Sequence, residues 1–244
     1  MKKNILFFSS LTIGIFAWEL AAFFVGSIYF PHSWNIANDL FKLIRELNFW
    51  IQFLETIAIS TFGVIVGTLL ALITGVLISI TKNAEKSTQG TINMFVIIPS
   101  IVFLPILISG IGSNTKTVLI LSTSVVFFRM ITYITRAIKD IENSLLDSAR
   151  LLKLNLLMKF VYIYCPAIFS KVSVGFRYTT SIAFGTVVTA GIAAGTPGFG
   201  SALYLAETVA DFSRVFSYVF VMGIIGVAIN NSLSKIEIRL LHWK

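Results

Sequence analysis

The stretch TIAISTFGVIVGTLLALITGVLISI, residues 56–80, decides the fold class because it contains no charged side chain. An apolar run of about 20 residues is long enough to cross the hydrocarbon core of a bilayer as an α-helix. A membrane β-strand would alternate apolar and polar residues, and this run does not alternate. Because lipid offers no partner to an unpaired backbone group, the stretch predicts a membrane-spanning helix.

The rest of the chain is also strongly apolar. Of its 244 residues, 56% are hydrophobic and 12% are charged, against about 25% charged residues in soluble domains. Apolar runs predict six spans, at residues 5–30, 57–81, 92–111, 117–134, 172–195 and 215–233. We therefore expect an all-α, polytopic membrane helical bundle that forms one domain over residues 1–244. The first run exceeds the apolar core of about 7–15 residues in a signal peptide, which favours a retained helix.

The basic residues are unevenly divided between the two sides of this predicted topology. Thirteen lie at the two ends of the chain or between spans two and three or four and five: Lys2, Lys3, Lys82, Lys86, Arg136, Lys139, Arg150, Lys153, Lys159, Lys171, Lys235, Arg239 and Lys244. Four lie on the other side: Lys42, Arg45, Lys116 and Arg214. Positively charged loops stay in the cytoplasm, so both termini are predicted to be cytoplasmic. Charge spread over four segments does not indicate nucleic-acid binding.

A polar interruption over residues 135–171 separates spans four and five. Its apolar residues recur in steps of three or four, as on one face of a helix: Leu145, Ala149, Leu152, Leu156, Phe160 and Ile163. Asn143 or Ser144 suits the start of this helix, and Pro166 is expected to end or kink it. The pattern predicts a bent helix or a helix pair in the cytoplasm. A solvated loop helix with no partner would show the same pattern.

The motif Asp147-Ser148-Ala149, with Lys153 after it and Pro166 nineteen residues beyond the aspartate, resembles a family pattern. It is similar to the Glu-Ala-Ala loop of ABC importer permeases, the binding-protein-dependent inner-membrane components. In that pattern Glu-Ala-Ala is followed by three residues, a glycine, and a long spacer ending in a hydrophobic residue and proline. Here an aspartate replaces the glutamate and Lys153 replaces the glycine. Asn155 is a residue that could adopt the left-handed turn instead.

Other segments carry the same resemblance. Trp18-Glu19, Gly198-Phe199-Gly200 and the tail at residues 236–244 are similar to the corresponding segments of the family. The tail resembles the nitrate/sulfonate/taurine-type subgroup, which includes permeases for thiamine-precursor pyrimidines. The resemblance therefore implies a permease of the bacterial plasma (inner) membrane whose substrate is a small organic anion or a vitamin precursor.

The resemblance also implies partners. Two permease copies, as a homodimer, would form the substrate pathway and receive substrate from an extracytoplasmic binding protein. Each copy would dock a cytoplasmic ATPase subunit through the loop at residues 135–171, and that subunit rather than this chain would bind ATP. Ser148, Ala149 and Leu152 would enter a groove on the ATPase. The full set of expected contacts is Asp147, Ser148, Ala149, Arg150, Leu152, Lys153, Leu156, Lys159 and Pro166.

Polar residues inside the predicted spans are candidates for the pathway, because ionisable groups in membrane helices usually face a cavity or a partner. The candidates are Arg177, Thr180, Ser181, Ser122 and Ser124. Arg177, like Arg129, has the alternative of snorkelling to the interface, and the serines have the alternative of close helix packing. Glu19 suits a bond to a polar group on another span, and the Gly-x-x-x-Gly at Gly63 and Gly67 suits helix packing.

The connector at residues 33–55 mixes apolar residues such as Trp34 and Phe41 with charged residues such as Asp39 and Lys42. A helix lying in the membrane interface fits this mixture. An ordinary solvated connector fits it as well.

Other function classes stay open at this point. A polytopic membrane enzyme would need clustered catalytic side chains, and a secondary transporter acting without an ATPase often has an internal repeat. Neither feature is visible, and a channel is the remaining alternative. The sequence has no Gly-x-x-x-x-Gly-Lys phosphate loop, so no cofactor is expected in this chain. One cysteine, Cys165, and two distant histidines predict no metal site.

Overall fold

The computed structural model describes residues 2–26, 28–81 and 84–240, without the side chains of residues 2–8, 11, 80, 85, 156 and 240. Lys82 and the last four residues of the tail, on which sequence predictions rested, lie outside the described residues. Within the described ranges all regular secondary structure is helical, which confirms the all-α fold class.

The helices of the described ranges follow one another with short connections. They are α1 (Lys2–Val25), α2 (Ser33–Arg45), α3 (Leu47–Ile80), α4 (Ala84–Ile97), α5 (Leu104–Ile111), α6 (Thr115–Lys139), α7 (Asn143–Leu151), α8 (Leu156–Lys159), α9 (Cys165–Ala194), α10 (Phe199–Thr208) and α11 (Phe212–Leu240). A 3₁₀ turn, Ser100–Phe103, joins α4 to α5, and a π-helical segment, Phe160–Tyr164, joins α8 to α9.

Four stretches among the described residues are long and apolar enough to cross a membrane: Leu47–Ser79, Thr115–Lys139, Leu157–Ala194 and Phe212–Arg239. They correspond to predicted spans two, four, five and six. Predicted span three is a bent pair, Lys86–Ile97 and Ser100–Ile111, whose halves meet at 93°. Pro99 lies at the bend, and a proline disfavours helical conformation in the residue before it. In predicted span one, the apolar stretch Thr12–Val25 is shorter than a full span.

A seam of glycines holds α3 against α6. A β-carbon on Gly67 would lie 2.7 Å from the carbonyl oxygen of Thr123 and 2.8 Å from Cβ of Val126. Gly63 faces Ser122 in the same way, so residue numbers rise together along the two helices and the helices are parallel. Small residues let helix backbones approach closely in lipid. The predicted packing role of the Gly-x-x-x-Gly is confirmed.

The other long helices alternate in direction around this pair. Lys171 near the start of α9 pairs with Asp140 just after α6, so α9 is antiparallel to α6. The Tyr218 hydroxyl near the start of α11 donates to Gln52 Oε1 near the start of α3 over 2.8 Å. One end of the bundle holds the short helices α2 and α10, and we call it the α10 end. The opposite end holds α7 and α8, and we call it the α7 end.

The α1 helix joins the bundle through Trp18. Its ring packs on Phe216 and Phe220 of α11 with centroid distances of 5.2 and 5.8 Å. The late part of α1 therefore meets the early part of α11, and the first residues of α1 and the last of α11 lie at the α7 end. Ala22 of α1 is also buried.

The turn between α9 and α10 is fixed by glycine conformation. Gly198 has a φ of +125°, which favours glycine over residues with a side chain. A β-carbon there would also lie 2.7 Å from Oγ1 of Thr56. That hydroxyl accepts a 2.9 Å hydrogen bond from the backbone N–H of Phe199. The Phe199 ring is fully buried beside Leu43 and Tyr218, which ties α10 to α2 and α11.

The predicted amphipathic connector forms α2. Ile36 and Leu43 are buried, whereas Trp34 and Phe41 are exposed. Glu19 does not bond to another span as expected. Its carboxylate instead accepts hydrogen bonds from the backbone N–H and the hydroxyl of Ser33 at the start of α2.

We expect Gly67→Ala to destabilise the protein because its methyl group would overlap the α6 backbone. Overpacking of this kind costs about 1–3 kcal/mol, which would lower the midpoint of thermal unfolding in detergent. Gly110→Ala is the matched control, since a β-carbon on Gly110 meets nothing within 4 Å. Equal midpoints for the two variants would contradict the packed seam.

Candidate functional site

The polar interruption is built as two short helices and a turn. The α7 helix ends at Leu151, and α8 starts at Leu156 and runs through the π-helical segment into α9. The predicted helix pair is therefore present. The prediction of one apolar face is wrong, because the turn at residues 152–155 separates Leu145 from Phe160.

The turn depends on Lys153. Its φ of +53° is left-handed, which costs a residue with a side chain about 1–2 kcal/mol. The backbone N–H of Leu154 donates to the carbonyl of Ala149, and that of Lys153 donates to Arg150, each over 3.0 Å. This pair of bonds is the Schellman arrangement that usually takes glycine at the left-handed position. Lys153 thus adopts a left-handed conformation at the position where the family pattern has glycine.

Asn155 does not provide the left-handed residue. Its side-chain oxygen accepts a 2.8 Å hydrogen bond from the backbone N–H of Met158 and so caps α8. The expectation of a left-handed Asn155 is wrong, since Lys153 adopts that conformation and leaves Asn155 free to cap.

Ala149 lies inside the chain. It exposes 1% of its surface, so its side chain faces the protein's own interior. The contact of Ala149 with an ATPase stays a prediction, although in this conformation the chain itself covers its side chain. The small side chain lets α7 lie close to the bundle.

Three leucines bracket the turn and point outward. Leu151, Leu152 and Leu157 expose 84%, 71% and 71% of their surface; we call them the turn leucines. Leu152 was predicted as a contact, but Leu151 and Leu157 were not, because helical periodicity was continued across the break. Ser148 is exposed, and Leu156 begins α8 with a side chain outside the described ones.

Charged groups surround the turn leucines. Arg150 Nη1 and Asp147 Oδ1 are 2.8 Å apart, and both side chains are largely exposed. Such a pair contributes little to stability because water screens it. Lys153 is exposed and Lys159 half-buried, so the surface of the turn combines apolar and positively charged groups.

Pro166 does not end the helix. It occupies the first turn of α9, directly after the π-helical segment, where the N–H of Cys165 bonds to the carbonyl of Phe160 five residues back. Proline is tolerated in a first turn because its missing N–H is not needed there. The wider π turn thus lets one helix run from the turn into the bundle.

One of the two arginines in the predicted spans, Arg177, is paired within the chain. Arg177 Nε and Glu237 Oε2 of α11 are 3.1 Å apart, and both side chains are largely buried. The approach lacks the alignment of a hydrogen bond, so both atoms stay without a hydrogen-bond partner in the described structure. The guanidinium carbon also lies 5.0 Å from the ring centre of Tyr178. Arg177 therefore joins α9 to α11.

The hydroxylated pathway candidates separate into two groups. Ser122 is fully buried against Gly63, so it belongs to the α3–α6 seam and not to a pathway surface. Ser124 lines a cavity of about 180 Å³ between α4, α5 and α6. Thr180 and Ser181 are half-buried on α9, and the Thr180 hydroxyl donates to the carbonyl of Phe176.

One face of α9 remains uncovered by this chain. Tyr178, Gly185 and Thr189 are exposed and Ser181 is half-buried along it. Spacings of three, four and seven residues place them on one side of the helix. Sequence reasoning missed most of this face because small residues on a span also suit helix packing.

The α10 end carries an ion pair within α2 and another between the α2–α3 junction and α11. Glu46 pairs with Arg214 of α11, and Lys42 Nζ lies 2.9 Å from Asp39 Oδ1. The hydrogen bond and charge of Asp39 raise the pKa of Lys42 above its ordinary value. No group of three metal-ligating side chains occurs among the residues that the structure describes.

We expect Lys153→Gly to strengthen the turn and Lys153→Val to weaken it, because only glycine adopts a left-handed φ without steric cost. A change of about 1 kcal/mol corresponds to a roughly fivefold change in the opening equilibrium. This opening equilibrium is measured by amide hydrogen exchange at Leu154, because the N–H of Leu154 closes the turn. Unchanged exchange in both variants would contradict the left-handed Lys153.

Comparison with known proteins gives one consistent result. The family model described as "Binding-protein-dependent transport system inner membrane component" matches residues 63–239. A probable ABC transporter permease protein of Brucella abortus (strain 2308) is 23% identical over 237 residues, covering 96% of this chain and 94% of that protein. A provisionally named aliphatic sulfonates transport permease protein, SsuC, of Bacillus subtilis (strain 168) is 21% identical over 76% of this chain and 67% of that protein.

Solved structures share the fold. An inward-facing structure of the MetNI methionine ABC transporter matches with a TM-score of 0.66 and 18% identity, over 75% of this chain and 91% of that chain. A bacterial ABC transporter involved in the import of the acidic polysaccharide alginate matches with a TM-score of 0.69 and 13% identity, over 98% and 97%. The family match covers most of the chain and the fold agrees with it. This multi-pass chain belongs to the inner-membrane components, or permeases, of binding-protein-dependent ABC transporters.

Proposed function

We propose that this chain is the permease subunit of an ATP-driven ABC importer and that the turn leucines dock its ATPase. The observation that carries the proposal is the exposure of Leu151, Leu152 and Leu157 around a turn that two backbone hydrogen bonds close. Large apolar side chains at a membrane protein's polar loop gain stability from a covering partner. ATP would be bound and hydrolysed by that separate subunit, since the permease family is a non-enzymatic transport component.

Six spans with both termini in the cytoplasm fit the direction of the helices. If α1 crosses the membrane and the α4–α5 pair counts as one span, the chain crosses six times and both ends lie at the α7 end. That end carries Arg136, Lys139, Arg150, Lys153 and Lys159, and positive charge is retained in the cytoplasm. The turn leucines would then face the cytoplasm, where an ATPase is available.

The turn can transmit movement to the pathway because it is mechanically joined to α9. Helix α8 continues through the π-helical segment into α9. Lys171, near the start of α9, pairs with Asp140, just after α6. ATP-driven closure of the ATPases would move this unit and bias two conformations of the permease by differential contacts.

A second permease copy would cover the exposed face of α9. Ser181 and Thr189 place hydroxyl groups on that face, although the Thr189 hydroxyl also donates to the carbonyl of Gly185, and polar groups inside a membrane usually face a cavity or a partner. Two such faces in a dimer would enclose a polar pathway, to which Thr180 and Ser124 remain further candidate contributors. Arg177 is better explained as the partner of Glu237 and Ser122 as a packing residue.

A secondary transporter or channel without an ATPase is the weaker candidate. The relatives and structural neighbours carry ABC transporter names. In a chain acting alone, the turn leucines would remain exposed with no partner to cover them. The name of SsuC supports a small organic anion as substrate, and the resemblance of the tail leaves vitamin precursors as a second class.

We expect Leu152→Glu to reduce co-purification of a co-expressed ATPase subunit and to abolish ATP-driven uptake, because a charge would replace an apolar contact. The ATPase subunit and the binding protein for this experiment are to be sought among the genes that neighbour the permease gene. Leu205→Glu is the matched control, since Leu205 is 62% exposed at the α10 end. Full association and uptake by Leu152→Glu would refute the docking surface.

We expect the binding protein that delivers substrate to this permease to be stabilised against heat by one member of a panel of sulfonates, nitrate, and thiamine-precursor pyrimidines. A bound ligand raises the unfolding midpoint by mass action. The same compound should be taken up by vesicles containing the complete transporter in the presence of ATP. Uptake without ATP would favour the secondary-transporter alternative.

A further inference from the structure

We propose that a groove between α1, α2 and α11 binds one acyl chain of a phospholipid in the leaflet at the α10 end. The groove has a volume of about 670 Å³, within the range of about 300–1,000 Å³ found for ligand clefts. Its walls include Gly14, Ile15, Trp18, Leu40, Phe220 and Ile224. The proposal is independent of ATPase docking.

The groove exists because, among the side chains of α1 that the structure describes, those toward its end hold it to the bundle. Trp18 packs on Phe216 and Phe220, whereas residues 12–17 are exposed. A β-carbon on Gly14 would meet nothing within 4 Å. On the opposite wall Ile224 exposes 63% of its surface. The two helices therefore diverge below Trp18 and leave an open apolar slot.

The chemistry of the walls selects an apolar occupant. None of the lining residues whose side chains are described carries a charge. The Trp18 indole N–H already donates to the carbonyl of Pro31 over 3.0 Å, and the Ser33 hydroxyl donates to Glu19. Trp18 and Ser33 therefore offer a polar substrate neither a charge nor a free hydrogen-bond donor. An acyl chain requires no such group.

The closed end of the groove favours a lipid over a protein helix. Near Trp18 the groove is bounded by α2, whose Ser33, Ile36, Ala37 and Leu40 line it. A membrane-spanning helix is about 30 Å long or more, because it crosses the whole hydrocarbon core. A spanning helix of a second copy would need a groove that continues through both leaflets, but this groove ends beneath α2 at Trp18.

Helix α2 provides a site for the phosphate. Ala37 lines the groove, and Phe41 and Arg45 follow at four-residue spacing on the same face. Phe41 and Arg45 are exposed. An amphipathic helix with basic residues at its edge is attracted to anionic headgroups at the interface. Arg45 thus complements the charge of a lipid whose chain enters the groove.

Trp18 is a built-in reporter of the occupant. In the full-length chain with Trp34, Trp50 and Trp243 changed to Phe, its fluorescence is measured in vesicles containing increasing fractions of phosphatidylglycerol brominated on the acyl chain. We expect quenching that saturates at a low fraction of brominated lipid. Gly14→Leu fills the groove and should reduce this quenching severalfold, and Gly110→Leu on α5 should leave it unchanged.

Two further variants keep the test decisive. Ala37→Leu fills the groove from α2 and should act like Gly14→Leu if that variant fails to fold. Arg45→Gln should remove the preference for phosphatidylglycerol over phosphatidylcholine and retain quenching. Quenching that rises linearly with lipid fraction, or that persists in both filled variants, would overturn the proposal.

Occupation of the groove by a second copy of the chain would also overturn the lipid proposal, and it would give different quenching and cross-linking results. Trp18 would then be protected from brominated lipid. In a chain with Cys165→Ala, Gly14→Cys and Ile224→Cys variants would form a disulfide between copies. The lipid proposal expects quenching and no such cross-link.

Discussion

The close contact of α3 with α6 is the constraint on which the rest of the structure depends. Lipid provides no hydrophobic force between helices, so their association depends on van der Waals packing, which is strongest where small residues let the backbones approach closely. Gly63, Gly67 and Gly75 allow that proximity along three turns of the seam. With α3 and α6 fixed in parallel, α9 can lie antiparallel beside them, and the short helices collect at the two ends of the bundle.

The α7 end shows how local and global constraints combine. Ala149 anchors α7 by its burial, and Lys153 adopts a costly left-handed conformation that reverses the chain. The strain is tolerated because two backbone hydrogen bonds close the turn. Because Ala149 holds α7 against the bundle, the turn leucines on the other side remain exposed, as a docking surface requires.

The sequence predicted the helix pair and its position but not its surface. Periodicity of apolar residues assumes one continuous helix, so it grouped Leu145 and Ala149 with Phe160 and overlooked Leu151 and Leu157. The exchange of glycine for Lys153 pointed to Asn155, because asparagine tolerates left-handed conformation better than lysine. Hydrogen bonds within the turn outweighed that intrinsic preference.

What the sequence by itself determined is the class of protein: long uncharged runs leave only helices in lipid, and the acid-to-proline spacing indicates the permease family. Tertiary structure alone decided which polar residue serves which purpose. Arg177 meets Glu237 sixty residues away, and Ser122 meets Gly63 on another helix. The side of a helix that faces lipid, a neighbour or a groove depends on where the other helices lie, and no local pattern contains that information.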